Sequence, residues 1–250
     1  MTPMESSLGD LIHGEDEFVP SRALIVVAHP DDIDFGAAGT ACTFVDHGVQ
    51  VVYGLVTSGE AGEPSDIPGP ELAEIRQAEQ TEAAKIVGVT ELYWLGFPDG
   101  AVVPGLELRR AIARLIRVVR PDLVIAQSPV RNLDRIYSGH PDHIATGEAV
   151  ISAVYPDARN AKSFPELIDE GLQPHAVPRM WLMAGTEHTV HVDITHSIDR
   201  KVEALMAHRS QNGPRADRLP TMIREWAETA AEGAGLAGSC AESFRAVNTE

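Results

Sequence analysis

The chain has 250 residues, which suits one large domain or two small ones and permits a sizeable core. It is 44% hydrophobic and 23% charged, the balance of a soluble globular protein. Thirty-seven acidic residues against 20 basic ones leave a net charge of −17, which repels phosphate backbones and anionic lipid and so argues against nucleic acid or a membrane as partner.

Residues 1–20 are polar and acidic and read as a loose lead-in. They lack the apolar core of a signal peptide, and no run approaches the ~18 apolar residues of a membrane span; a cytoplasmic protein is expected. From Arg22 the chain alternates. "RALIVVA" is a buried strand, and "FGAAGTACTFVDHG" has helical spacing and stops at Gly48. "VQVVYGLVTSG" is a second strand, followed by the Gly/Pro-rich loop "GEAGEPSDIPGP". "ELAEIRQAEQTEAAKIVG" is an amphipathic helix, "ELYWLGF" a third strand, "LELRRAIARLIRVVR" a helix halted by Pro121, and "DLVIAQSP" a fourth strand.

Strands alternating with helices predict an α/β fold, a Rossmann-like, mostly parallel sheet flanked by helices. Near-continuous apolar strands fit burial on both faces. After "HPDHIATGEAVISAVY", residues 156–178 carry four prolines and read as a surface excursion. Two additional strands, "RMWLMAG" and "HTVHVDIT", and two helices near 197–209 and 215–233 complete the pattern. No linker divides the chain, so residues 1–250 are read as a single domain with a C-terminal helical extension over 212–250. Cys42 and Cys240 are too few and too far apart for a disulfide framework or a Cys-rich zinc site and are read as reduced and buried.

In an open parallel sheet, ligands gather at the carboxyl ends of strands. "AHPDD" (28–32) ends the first strand, and "SGHPDH" (138–143) follows the fourth. In each, proline suits the first position of a helix. His29 and Asp32 are three apart, as are His140 and His143, a spacing that shares one face of a helical turn. Two His and a carboxylate form a donor set used by catalytic zinc, which keeps one position open. Spacing alone leaves the roles of Asp31 and Asp32 undivided.

"AHPDD" near the start with "HPDH" about 110 residues later resembles the PIG-L/LmbE family of zinc-dependent N-deacetylases and amidases. The similarity runs from about 22 to 211 and takes in "TSGEAG", "EIRQAE", "FPDG", "FPELIDEGLQPH" and "AHRSQ". The resemblance implies a metal on His29, Asp32 and His143, with Zn²⁺ foremost and Fe²⁺ or Co²⁺ compatible with the same donors. It implies Asp31 as general base, His140 facing the developing oxyanion, and a homo-oligomer. The family often has Glu directly after "HPDD" and then Gly-Gly; here Ile33 and "AAGT" stand instead. Some sugar deacetylases of the family carry Tyr two places before the first His of "HPDH", where this chain has Ser138 beside Tyr137.

The resemblance implies amide hydrolysis of a small N-acylated molecule: Asp31 would take a proton from water and return it to the amine, and His140, if protonated, would stabilise the oxyanion, its charge favoured by a nearby carboxylate such as Asp142, the nearest acid in sequence. Arg76 and Asp99 are candidate substrate contacts, although a helix ion pair and a turn-forming Asp account for them equally. Glu60 and His208 read as structural. His191 and Asp193 would share a strand face while His188 and His196 would not, so no second metal cluster is expected there. Trp94, Trp181 and Trp226 read as core or interface. The competing readings are an amidase for a larger thiol conjugate such as a mycothiol adduct, and a non-catalytic Rossmann-like binding module, which this chain's lack of GxGxxG or a P-loop disfavours.

Overall fold

The computed structural model describes residues 6–133 and 135–250, with the side chains of Tyr137 and Ser138 outside that set. In chain order the elements are β1 (Ile12–Gly14), β2 (Arg22–Val27), α1 (Asp32–Gly36), α2 (Ala38–Asp46), β3 (Gln50–Leu55), α3 (Gly69–Val87), β4 (Glu91–Trp94) and α4 (Leu106–Val119). There follow β5 (Leu123–Gln127), α5 (Pro141–Ser152), α6 (Glu166–Asp169), β6 (Arg179–Met183), β7 (Val190–Asp193), α7 (Ile198–Ala207), α8 (Arg209–Asn212), α9 (Leu219–Gly233) and β8 (Ala241–Asn248).

The sheet has eight strands in the order β1-β7-β8-β6-β5-β2-β3-β4. β4, β3, β2, β5 and β6 are parallel neighbours, and β8, β7 and β1 join antiparallel at one side. Side chains on a strand alternate between faces, so the unbroken apolar run of β2 feeds two cores. Ala23, Ile25 and Val27 pack with residues of α2, α3, α7 and α9. Leu24 and Val26 pack with α4 and α5. The α4 residues Leu108, Ile112, Leu115, Ile116 and Val119 form one buried stripe at helical spacing.

The chain steps from β2 to β3 to β4, then returns to lay β5 on the other side of β2. That reversal makes the carboxyl ends of β2 and β5 a topological switch point, where α/β sheets open a crevice. Two details hold the crevice in shape. The Ala28 N–H donates to Gln127 Oε1 at 3.0 Å, tying the two strand ends together. Gly147 lets α5 lie against the end of β5, since a Cβ there would meet the Gln127 carbonyl oxygen at 2.3 Å.

Two stretches differ from the sequence expectation. The lead-in contains a 3₁₀ turn (Leu8–Leu11) and β1, which pairs with β7. The segment 212–250 is not wholly helical: it ends in the eight residues of β8, inserted between β6 and β7. Glu242 explains the inward pull on β8. It is buried and accepts from the Gly39 and Thr40 N–H groups at the start of α2 and from Lys201 of α7. Cys42 and Cys240 are both free and buried. Among the described residues, no helix is long and apolar enough to cross a membrane.

Candidate active site

The turn after β2 is built to present side chains. Thr57 holds the Ala28 carbonyl through its backbone N–H and its hydroxyl. The His29 N–H donates to Asp32 Oδ2 at 2.8 Å, closing the turn on itself. Between them Asp31 takes φ 84°, the left-handed region that a side-chain-bearing residue seldom adopts. α5 begins at Pro141, and the Asp142 N–H donates to Nδ1 of the capping His140 at 3.2 Å. One turn into α5, His143 comes over the switch point.

Donor atoms of three residues meet there, Asp32 offering one oxygen to each histidine. His29 Nδ1 is 3.2 Å from His143 Nε2, His143 Nε2 is 3.1 Å from Asp32 Oδ1, and His29 Nδ1 is 3.4 Å from Asp32 Oδ2. Ligands about 2.0–2.2 Å from a tetrahedral centre stand roughly 3.3–3.6 Å from one another. The contacts lie close to that spacing, so these three residues could hold a divalent cation with a fourth position open. Two ring nitrogens facing each other across 3.2 Å otherwise share one hydrogen bond between them.

The other edge of the His29 ring supports the same assignment. Nε2 faces Asp99 Oδ1 at 3.0 Å and Asp142 Oδ2 at 3.3 Å. Donation from Nε2–H to these carboxylates leaves Nδ1 with its lone pair, the carboxylate–histidine–metal arrangement. Asp142 is 1% exposed and also accepts the N–H groups of Gly100 and Val102. Burial works against a proton on His29, but Asp32 and Asp99 outweigh it and push its pKa up to about 11. Burial likewise opposes the Asp32 charge, and His143 and His29 overcome it, holding that carboxyl well below its usual range. A site that favours a proton this strongly favours a metal cation for the same reason.

Two further groupings bring single donor atoms within 4.8 Å of one another: His29 with His140 and His143, and His29 with Asp99 and Asp142. The second relies on the His29 edge turned away from His143, and both of its acids already accept backbone N–H groups. His29, Asp32 and His143 are the remaining candidate set, with Nδ1 of His29 turned toward the other two.

Asp31 lines the same cleft. Its Oδ2 accepts from Gln211 Nε2 at 2.8 Å, and its N–H donates to Gln80 Oε1 at 2.9 Å. Burial and the neighbouring Asp32 charge push its pKa up to about 7. His140 closes the group, its ring centroid 5.0 Å from that of His29 and 5.4 Å from that of His143. With Nδ1 accepting from Asp142 N–H, the proton of the neutral ring lies on Nε2. Burial and the positive charge on His29 and His143 lower the His140 pKa, and Asp142 only partly offsets them. The Asp142 charge favours a proton on His140, as expected, but its carboxylate hydrogen-bonds to His29 and its backbone N–H to His140.

Arg76 is buried and donates to the carbonyls of Gly59 and Glu63, so it shapes the 59–63 loop from behind. Gly59, at φ 72°, leaves room for it. Arg76 and Asp99 both line the cleft. Asp99 divides its oxygens between His29 and the Ala61 N–H, and Glu60 Oε1 accepts the Asp99 N–H. His208 is 0% exposed and donates to Asp34, itself 0% exposed, which also accepts from Gln80. His191 faces Ser243 Oγ and shares the β7 face with Asp193, as expected. Trp181 is wholly buried, whereas Trp226 is 41% exposed at the cleft. The Tyr137 side chain lies outside the described residues.

Sequence reading passed over Gln80, Gln211, Asp34 and Gln127. Gln80 stands one helical turn after Arg76, and that i,i+4 spacing was the available signal. Gln211 closes the "AHRSQ" stretch.

The GlcNAc-PI de-N-acetylase (PIG-L) family model matches residues 24–154. A diacetylchitobiose deacetylase of Thermococcus kodakarensis is 33% identical over 195 residues, 76% of this chain and 70% of that protein. A probable N-acetyl-α-D-glucosaminyl L-malate deacetylase 2 of Bacillus anthracis is 32% identical over 205 residues, 79% of this chain and 84% of that protein. The solved N,N'-diacetylchitobiose deacetylase of Pyrococcus horikoshii superposes with a TM-score of 0.84 at 30% identity, covering 92% of this chain and 84% of that one.

Proposed function

Because the chain belongs to the PIG-L (GlcNAc-PI de-N-acetylase) family, we propose that it is a zinc-dependent deacetylase that hydrolyses the amide of an N-acetylated amino sugar. It is an amide-hydrolysing enzyme of the deacetylase type rather than a binding module, as its relatives are. The observation that supports the zinc reading is the convergence of His29 Nδ1, His143 Nε2 and the two Asp32 oxygens, with contacts of 3.1–3.4 Å.

His29, Asp32 and His143 would hold the ion. Bound there, zinc supplies Lewis acidity, polarising the amide carbonyl and making water acidic enough to lose a proton near neutral pH. Asp31 accepts that proton as water adds to the carbonyl carbon. It returns the proton to the nitrogen as the C–N bond breaks, releasing acetate and a free amine. The positive φ of Asp31 and the Gln211 hydrogen bond aim the carboxylate into the cleft. Nε2–H of His140 donates to the oxygen that gains charge in the tetrahedral state. Asp99 orients His29, and Arg76 holds the 59–63 loop, so both fix the wall of the cleft against which the substrate lies. Free, buried Cys42 and Cys240 suit a reducing cytoplasm.

The experiment is acetate release from N-acetylglucosamine and N,N'-diacetylchitobiose by zinc-loaded protein, alongside metal analysis. About one zinc per chain, with loss of both metal and activity in His143→Ala, is the expected result. Full activity after complete chelation, or no acetate from any N-acetyl amino sugar, overturns the reading.

A further inference from the structure

The cleft continues well past the donor triangle. Its volume is about 840 Å³. At about 30 Å³ for each water, that is room on the order of thirty water-sized groups, against roughly fifteen non-hydrogen atoms in an N-acetylhexosamine. The surplus has a distinct chemistry. Met222, Trp226 and Ala230 recur every four residues along α9 and form one stripe. The adjoining stripe, Ile223 and Ala227, is buried against the core. Both stripes border the cleft, and the Met222–Trp226–Ala230 stripe is the more open of the two, facing it together with Phe35 of α1 and Met183 at the end of β6. Phe35 lies three residues after Asp32, so this apolar strip begins beside the metal-binding turn.

A chain of net charge −17 has ample polar residues to cover such a strip. Leaving it open inside a concave cleft marks a binding surface. Arg135, from the segment that follows β5, lies 5.4 Å over the Trp226 ring. The strip shares one cleft with His29, Asp32 and His143, so a small ligand held there reaches it directly.

We propose that the amine half of the substrate carries an alkyl or aryl group, which lies on the Met222–Trp226–Ala230 strip while the N-acetyl group is held at the triangle. The direction rests on the deacetylase reading: a released acetyl is too small to extend along α9, so the apolar group belongs to the part that keeps the nitrogen.

The test is calorimetric titration of the zinc-loaded protein with methyl, butyl and hexyl β-glucosides, which carry no amide to cleave. Affinity is expected to rise about fourfold per added methylene, the increment for moving one CH₂ out of water. That dependence should flatten in both Trp226→Ala and Met222→Ser, each checked for an unchanged circular dichroism spectrum. Affinity independent of chain length, or an unchanged dependence in both variants, overturns the proposal. So does a doubled sedimentation mass that reverts to monomer in Trp226→Ala, because a second copy then covers the strip. In a parallel assay, KM for acetate release should fall from methyl to hexyl N-acetylglucosaminide. Chain-length-dependent binding without acetate release from any N-acetyl sugar would remove the deacetylase reading and leave the apolar subsite in place.

Discussion

His29 Nδ1 and His143 Nε2 face each other at 3.2 Å, although 114 residues separate them in the chain. Both also face Asp32. Only the folded chain brings these three side chains together, so a cation bound there would link metal binding to folding. At a free zinc concentration of 100 times Kd, binding should stabilise the native state by about 2.7 kcal/mol. For a chain of this length that is a rise in Tm of roughly 5–11 °C. Differential scanning fluorimetry should show the shift in the wild type and none in Asp32→Ala. An equal zinc response in Asp32→Ala would remove that residue from the donor set.

Asp31 and Asp32 are adjacent but turn to different partners, Gln211 for one and the two histidines for the other. The substitution Asp31→Asn should therefore retain zinc and lower kcat by about 10²–10⁴-fold, the contribution of a positioned acid/base group. Metal analysis and steady-state kinetics on one preparation decide the matter. Zinc lost with Asp31 and kept without Asp32 would exchange the two roles.

Gln211 acts through Asp31. Its amide donates to Asp31 Oδ2 at 2.8 Å, while Gln80 holds the Asp31 backbone. Gln211→Ala frees the carboxylate to rotate without touching the metal ligands. We expect kcat to fall about tenfold, the scale of one neutral hydrogen bond at roughly 1.4 kcal/mol, with KM and zinc content unchanged. Gln211→Glu places a second acid against Asp31 and should move the acidic limb of the kcat profile upward. A profile identical to wild type would mean that Gln211 does not control Asp31.

The chain order of β2 to β5, the helices between them and the two His-Pro-Asp corners at the switch point were legible because each rests on local signals. Apolar runs, Gly stops and the paired His-Pro-Asp stretches all fall within a few residues. β1 and β8 were not legible for the opposite reason. Ile12–Gly14 is three residues long and gains its pairing only from β7, far away in sequence. Ala241–Asn248 carries charges at Glu242 and Arg245, and the partners that let Glu242 be buried, Lys201 and the start of α2, are equally distant. Within the site, ligand types could be read from motif spacing, whereas orientation could not. That Asp142 turns to His29 rather than to His140 is set by the Gly100 and Val102 N–H groups on a separate loop.

His208 supplies a pH-dependent contribution to stability. Burial works to lower its pKa, but the Asp34 hydrogen bond and the charges of Asp34, Asp31 and Glu79 outweigh it, and the net shift is upward. The folded protein therefore holds the proton more tightly than the unfolded chain. The stabilisation is fully present below the unfolded pKa of about 6.5 and fades as pH rises through the folded value. Urea melts of wild type and His208→Gln should differ most near pH 6 and converge toward alkaline pH. A gap that stays constant or widens with pH would contradict this.

Asp142 is the most deeply buried acid against the His29 ring, and it spends its oxygens on His29 Nε2 and two backbone N–H groups. Asp142→Asn keeps the shape and removes the charge that makes His29 a better donor. Removing such a partner typically costs 10–100-fold in metal affinity. Competition titrations against a zinc chelator should therefore show a weakened Kd within that range, while excess zinc restores occupancy. Because Asp99 also faces Nε2 at 3.0 Å, Asp99→Asn should weaken zinc in the same direction. The double substitution should lose less than the product of the two, since both act through one ring. Strictly multiplicative losses would place Asp99 and Asp142 on separate routes to the metal.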